Sequence, residues 1–261
     1  MLKQGRRKAT EKLKKFRNRI LGYDQKIHIF IPCFPKSGST YLTSILREIT
    51  GFSKGGLAER LSISRGQDIR REKIEKYLSR NSVAKQHVLA TKNNVALLKE
   101  YQYKAVPLTR NIYDTVLSLH DYIEQQIYRT TGYIHQEYRK MHTDDKILHI
   151  IRIHLPWYFM FLISWEEASK EIPLCWVSYK DVFNDQVGTI SKILKFYSIT
   201  VDSKQIENAI EVMKYRNTRF NVGKSGRGES ISDIHKAAIH DLADCWKVDP
   251  EIMKRIGIEV K

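Results

Sequence analysis

Cysteine, proline and acidic side chains are all scarce in this chain. Three cysteines, Cys33, Cys175 and Cys245, are odd in number and far apart, and two of them fall in apolar runs that read as core strands, so a disulfide framework is not expected. Six prolines and thirteen glycines in 261 residues leave no Pro-, Gly- or Ser-rich stretch that would divide the chain. No internal repeat or low-complexity tract is present. The densest apolar run, Leu155 to Ile163, is too short to span a bilayer and reads as a buried helix or a pocket wall. The N-terminus lacks the apolar core and small-residue cleavage site of a signal peptide, which points to a soluble, cytoplasmic protein. His and Cys show no zinc spacing and the carboxylates no Mg²⁺ pair, so no metal is expected.

Basic residues are plentiful. Forty-five Lys and Arg against 29 Asp and Glu give a formal net charge of +16, and positions 1–19 hold nine basic residues and one acid. Residues 1–25 form a basic N-terminal arm, including Arg6, Arg7, Lys8, Lys12, Lys14, Lys15, Arg17 and Arg19, with Leu13, Phe16 and Ile20 on a narrow apolar stripe. Such an arm is either a solvated basic helix or a peripheral contact with an anionic membrane or nucleic acid. Residues 26–261 read as a single domain, since 42% hydrophobic content suffices for one sizeable core. Apolar runs and helical periodicity predict strand 26–34, helix 39–50, strand 82–87, helix 93–101, strand 103–109, helix 112–127, a long helical middle and strand 172–179. Three helices then follow, with a Gly-rich loop between the last two. Strands alternating with helices predict an α/β fold with a mainly parallel central sheet flanked by helices, its ligands at the strand C-terminal ends.

Pro35-Lys36-Ser37-Gly38-Ser39-Thr40-Tyr41 joins the first strand to the first helix. A tight turn with Gly and small hydroxyl residues at a helix start gathers backbone N–H groups and the positive helix end around one point, with Lys36 beside it. That is an anion site of phosphate type. A Walker A loop places Lys after its second Gly; here Lys36 precedes the only Gly, so an ordinary ATPase or GTPase is disfavoured. The alternative is a turn whose Ser and Thr merely cap the helix. Arg110 follows the strand 103–109, and Ser118 stands eight residues on in the next helix, where a guanidinium fork and a hydroxyl can share one phosphate. Tyr179 lies at the end of the strand 172–179. The run Asn221 to Glu229 holds Gly223, Lys224, Gly226 and Arg227, combining close backbone approach with charge. Ser82 to His87 forms a short strand pattern ending in Lys85-Gln86-His87, 23 residues before Arg110.

This series of motifs, over roughly residues 26–245, resembles the sulfotransferases that use 3′-phosphoadenosine 5′-phosphosulfate (PAPS). The resemblance implies a P-loop-like sulfotransferase fold and transfer of a sulfonate group from PAPS to a hydroxyl acceptor, giving a sulfate ester and 3′,5′-bisphosphoadenosine. It implies that Lys36, Ser37, Gly38, Ser39 and Thr40 hold the 5′-phosphosulfate, with Lys36 at the bridging oxygen. Tyr41 and Tyr179 would contact the adenine, while Arg110, Ser118, Gly223, Lys224, Gly226 and Arg227 would take the 3′-phosphate. Lys85 would neutralise the sulfonate and His87 would be the base, with Lys92 as its competitor. The chain departs from the family where Asn221-Val222 replace the usual Arg-Lys and where the loop's Trp is missing. The acceptor, whether a small molecule, glycan or lipid, is not named by side-chain types. Two other readings are a nucleotide-dependent kinase with an atypical P-loop, which would need Asp181 to hold Mg²⁺, and a basic protein binding nucleic acid or a membrane surface. No aromatic–basic pattern for specific nucleic-acid recognition is present.

Overall fold

The computed structural model describes residues 26–58, 68–125, 134, 136–215 and 226–259. Strand β1 (His28–Pro32) pairs in parallel with β3 (Ser82–Gln86), which pairs in parallel with the short β2 (Ser53–Lys54). Strands β4 (Leu108–Thr109) and β5 (Val177–Ser178) form a second parallel pair. Single parallel bridges, Phe30 to Ala105 and Cys33 to Leu108, join the two pieces into a sheet of order β2-β3-β1-β4-β5. Strand β1 is central, and the chain crosses from it to both sides, so the crevice at its C-terminal end is the place where open parallel sheets bind ligands.

The sheet separates two apolar cores because alternate side chains point to opposite faces. Phe30 and Ala84 face one core, packed by α3 (Lys92–Glu100), α4 (Ile112–Gln125), α5 (Thr143–Ala168), α9 (Asp233–Cys245) and α10 (Pro250–Arg255). Ile29, Ile31, Cys33 and Val83 face the other, covered by α1 (Ser39–Thr50), α6 (Tyr179–Asn184), α7 (Gln186–Phe196) and α8 (Ser203–Tyr215). Helix α1 matches its sequence-based bounds because both ends are marked by residues in the left-handed region, Gly38 (φ 81°) and Gly51 (φ 67°). The apolar middle becomes one 26-residue helix, α5, long and apolar enough by composition to cross a membrane. Ile151, Leu155, Tyr158, Phe159, Phe161, Leu162 and Trp165 are nevertheless buried in the first core.

Several expectations need correction. The strand expected over 103–109 is regular only at 108–109, and that over 172–179 only at 177–178. Pro107 and Pro173 lie inside these runs and have no N–H to give a ladder, so pairing there falls to isolated bonds such as Val106 N to Phe30 O (2.8 Å) and Ala105 N to Pro173 O (3.1 Å). The hydroxyl of Tyr197, just past α7, fills part of the seam: it accepts from Phe30 N (3.0 Å) and donates to Lys104 O (2.8 Å). Tyr179 opens a helix instead of ending a strand, because Ser178 and Asp181 close a capping box around the start of α6. The three helices expected after residue 179 are five among the described residues, α6 to α10. Short α2 (Arg71–Tyr77) and β2 had no strong signal of their own.

Candidate active site

The turn after β1 holds Lys36 at φ 68°, a left-handed conformation uncommon for a residue with a Cβ. Its carbonyl, turned by that conformation, accepts a hydrogen bond from Arg110 Nη1 (3.1 Å). The Ser37 hydroxyl donates to Phe34 O (2.8 Å) and locks the turn, so the hydroxyl itself is committed to the loop. Gly38 precedes α1, whose first N–H groups lack intrahelical acceptors by geometry. A Cβ at Gly38 would lie 2.5 Å from the ring of Tyr179, so glycine there is demanded by sterics as well as by φ. The Tyr179 ring also lies under the Arg110 guanidinium (4.4 Å to centroid), which clamps Tyr179 between the loop and the arginine. Lys36 extends over the ring of Tyr122 on α4, 4.7 Å from its centroid. Burial and the neighbouring Arg110 hold the Lys36 ammonium below the ordinary lysine pKa, with Asp121 partly offsetting them.

Arg110 is nearly buried between β4 and α4, with Asp114 3.7 Å from its Nη2. Asp114, 1% exposed, does more than face that charge. Its two carboxylate oxygens accept from Gly226 N (3.1 Å) and Gly228 N (2.6 Å), which fastens the short 3₁₀ turn Arg227–Ser230 to α4. A Cβ on Gly228 would meet the Tyr113 side chain at 2.5 Å, so only glycine permits this approach. One turn along the helix lies Ser118, also buried, and Asp121 accepts from Arg227 Nη1 at 2.7 Å. Helical spacing thus sets Asp114, Ser118, Asp121 and Tyr122 in one stripe beside the loop.

Lys85 lies on β3 and His87 directly follows its last residue, Gln86. Lys85 Nζ donates to Thr40 Oγ1 (2.5 Å) and reaches Ser39 Oγ (3.4 Å), tying β3 to the start of α1. The half-buried His87 directs Nδ1 at Cys33 O, 2.8 Å away. A carbonyl only accepts, so Nδ1 carries the proton and Nε2 the lone pair. Burial pushes the His87 pKa down, yet the contacts with Cys33 bring it above the ordinary histidine value against the opposing charge of Lys85. Lys92 is exposed in the first turn of α3, after Thr91, and not at a strand end.

Lys36, Ser37, Gly38, Ser39, Thr40, Arg110, Tyr179 and Lys85 thus converge at the C-terminal end of the sheet, with His87 at the end of β3 and Ser118, Gly226 and Arg227 along α4. Tyr41 donates its hydroxyl to Gln186 Oε1 on α7 (2.8 Å). Gly223 and Lys224 lie outside the described residues. Asp114, Asp121 and Tyr122 were missed by sequence reading. The i, i+4 step from Arg110 to Asp114, followed by Ser118 and then Asp121-Tyr122, was the available signal. Among the described residues no group of three or more His, Cys, Asp or Glu is arranged to hold a metal.

A parallel, helix-flanked sheet with a cationic loop–helix junction at the end of its central strand defines an α/β protein that handles a phosphate- or sulfate-like anion. A model of the sulfotransferase domain family matches residues 26–237, and the chain belongs to that family. Among solved structures, a mouse sulfotransferase complexed with PAP matches with a TM-score of 0.61 and 18% identity over 87% of this chain and 84% of that one. Retinol dehydratase in complex with retinol and PAP matches at 0.56 and 13%, over 90% and 83%. The sulfotransferase domain from the curacin biosynthetic pathway matches at 0.51 and 14%, over 91% and 99%. At these identities the likeness is one of fold. Among curated proteins no sequence matches.

Proposed function

We propose that this chain transfers a sulfonate group from PAPS to a hydroxyl acceptor, releasing a sulfate ester and 3′,5′-bisphosphoadenosine (PAP). The observation that carries the reading is the crowding of Lys36 and Arg110 around one loop–helix junction, with Lys85 bonded to Thr40 in the same turn. Cations brought this close repel one another, and a ligand with two separate anionic groups relieves that repulsion. ATP chemistry fits less well. Asp181, the carboxylate that would have to hold Mg²⁺, is spent on the capping box of α6.

In this mechanism the amides of residues 37–40 and Lys36 bind the 5′-phosphosulfate, and Arg110, Ser118 and the 226–230 turn bind the 3′-phosphate. The acceptor oxygen attacks sulfur as its proton passes to Nε2 of His87. The bond between sulfur and the bridging oxygen breaks, and Lys36 stabilises the charge left on the departing phosphate. Lys85 neutralises the sulfonate oxygens. A thermal-shift comparison of PAP, ATP and AMP tests the donor. PAP is expected to stabilise the protein well beyond the other two, and equal stabilisation by all three would sink the assignment. His87→Ala is expected to lower turnover by roughly 10²–10⁴-fold with PAP affinity kept, and Lys92→Ala to be mild.

A further inference from the structure

Cys33 is fully buried at the exit of β1, yet its contacts lead into the site. Its N–H pairs with Gln86 O (2.9 Å), which sets the end of β1 beside the end of β3 and brings the Cys33 carbonyl 2.8 Å from His87 Nδ1. The thiol donates to the same Gln86 O (3.7 Å), which turns sulfur lone pairs toward His87 Nδ1, 3.6 Å away. Cys33 therefore touches the histidine through both its carbonyl and its sulfur.

We propose that Cys33 is the positioning residue for His87: its carbonyl oxygen and sulfur together hold the Nδ1–H edge, fixing the tautomer that leaves Nε2 free to take the acceptor's proton. The proposal rests on His87 being the base. When Nε2 gains the proton, the ring becomes an imidazolium whose Nδ1–H donates more strongly, so the same cradle stabilises the charged form. Of the groups reaching His87, the hydrogen-bonded Cys33 after β1 raises its basicity and the Lys85 ammonium on β3 lowers it. Any side chain at position 33 keeps the carbonyl, so the sulfur's share is open to substitution.

The test uses the full-length chain labelled with ¹⁵N-histidine, the His87 signals being assigned from a His87→Gln variant. Long-range ¹H–¹⁵N spectra are expected to show His87 protonated at Nδ1 in its neutral form. Cys33→Val keeps an apolar side chain of similar size and removes the acceptor. It should lower the His87 pKa by about half a unit to one unit. Sulfonate transfer from PAPS to 4-nitrophenol should show the same shift of its acid limb and a kcat about 3–10-fold lower, with KM for PAPS unchanged. Cys33→Ser, which restores a lone pair and an O–H donor, should recover most of both. A neutral His87 protonated at Nε2, or an unmoved His87 titration in folded Cys33→Val, would overturn the proposal. His87→Ala with wild-type turnover would instead remove the base reading while leaving the tautomer measurement intact.

Discussion

Lys36 carries two costs in the folded protein: a left-handed backbone and a desolvated charge. Replacing it by glycine relieves about 1 kcal/mol of backbone strain and removes a cation–π contact with Tyr122 worth about 0.5–1 kcal/mol. The two nearly cancel, and removing the desolvated charge beside Arg110 favours the variant slightly. Lys36→Gly is therefore expected to melt within a few degrees of wild type while turnover falls by on the order of 10²-fold. Thermal denaturation together with a rate measurement checks both halves, and a near-normal rate would take Lys36 out of the chemistry. Arg110 has a different signature. Its loss should weaken PAP by about 1.5–3 kcal/mol in calorimetry, whereas AMP, lacking a 3′-phosphate, should lose less than about 1 kcal/mol, the share owed to the Lys36 carbonyl contact. Equal losses for the two nucleotides would mean that Arg110 only holds the loop.

Elements in this fold are tied together by single side chains more than by long ladders, and the tie between α4 and the turn Arg227–Ser230 is the clearest case. Asp114→Asn keeps the shape but leaves one of the two Gly N–H donors facing an amide NH₂ in a buried place. Losing one such charge-assisted bond is expected to cost about 2–3 kcal/mol and to speed amide exchange over residues 226–230. An unchanged melting temperature would show that the turn is held by other means. How much of this was legible in sequence follows from the same contacts. The loop at Pro35–Tyr41 and helix α1 are local patterns, marked by glycine and by helical period, and could be read directly. Asp114 finds its two glycine partners more than a hundred residues away, Asp121 its arginine likewise, and the Lys36–Arg110 contact depends on a backbone angle that no side-chain pattern announces. The meeting of Cys33 with His87 needs the parallel register of β1 and β3, which the apolar runs suggest but do not fix. Strands 103–109 and 172–179 were read too long because their apolar character outweighed Pro107 and Pro173 in the pattern.

Taken as a folded body, the chain should respond to acid through a residue far from the site. His28, at the opposite end of β1, stacks on Tyr103 and meets Ser82 Oγ at 3.0 Å, and burial lowers its pKa to about 4. The folded state thus binds this proton less readily than the unfolded chain. Between pH 6.5 and 4 the unfolded state takes up more protons, so stability is full above about pH 6.5 and declines as pH falls toward 4. Partial exposure limits the effect to about 1–2 kcal/mol. Melting curves of wild type and His28→Asn across that range should diverge in slope; parallel curves would assign the acid sensitivity elsewhere.

The hydroxyl of Tyr197, set between Phe30 N and Lys104 O, makes the seam of the sheet depend on a helix from the far half of the chain. A backbone amide in the central strand is satisfied by a phenol that the chain supplies 167 residues later, so the middle of the sheet cannot be completed by the N-terminal half alone. Until the helix α7 is docked, the seam between β1 and the 103–109 segment lacks this bridge and rests on its backbone bonds alone. Tyr197→Phe is expected to lose about 1–3 kcal/mol and to accelerate exchange at the Phe30 amide more than at amides of the β1–β3 ladder. If Phe30 stays as protected as its neighbours, the seam is held without the phenol.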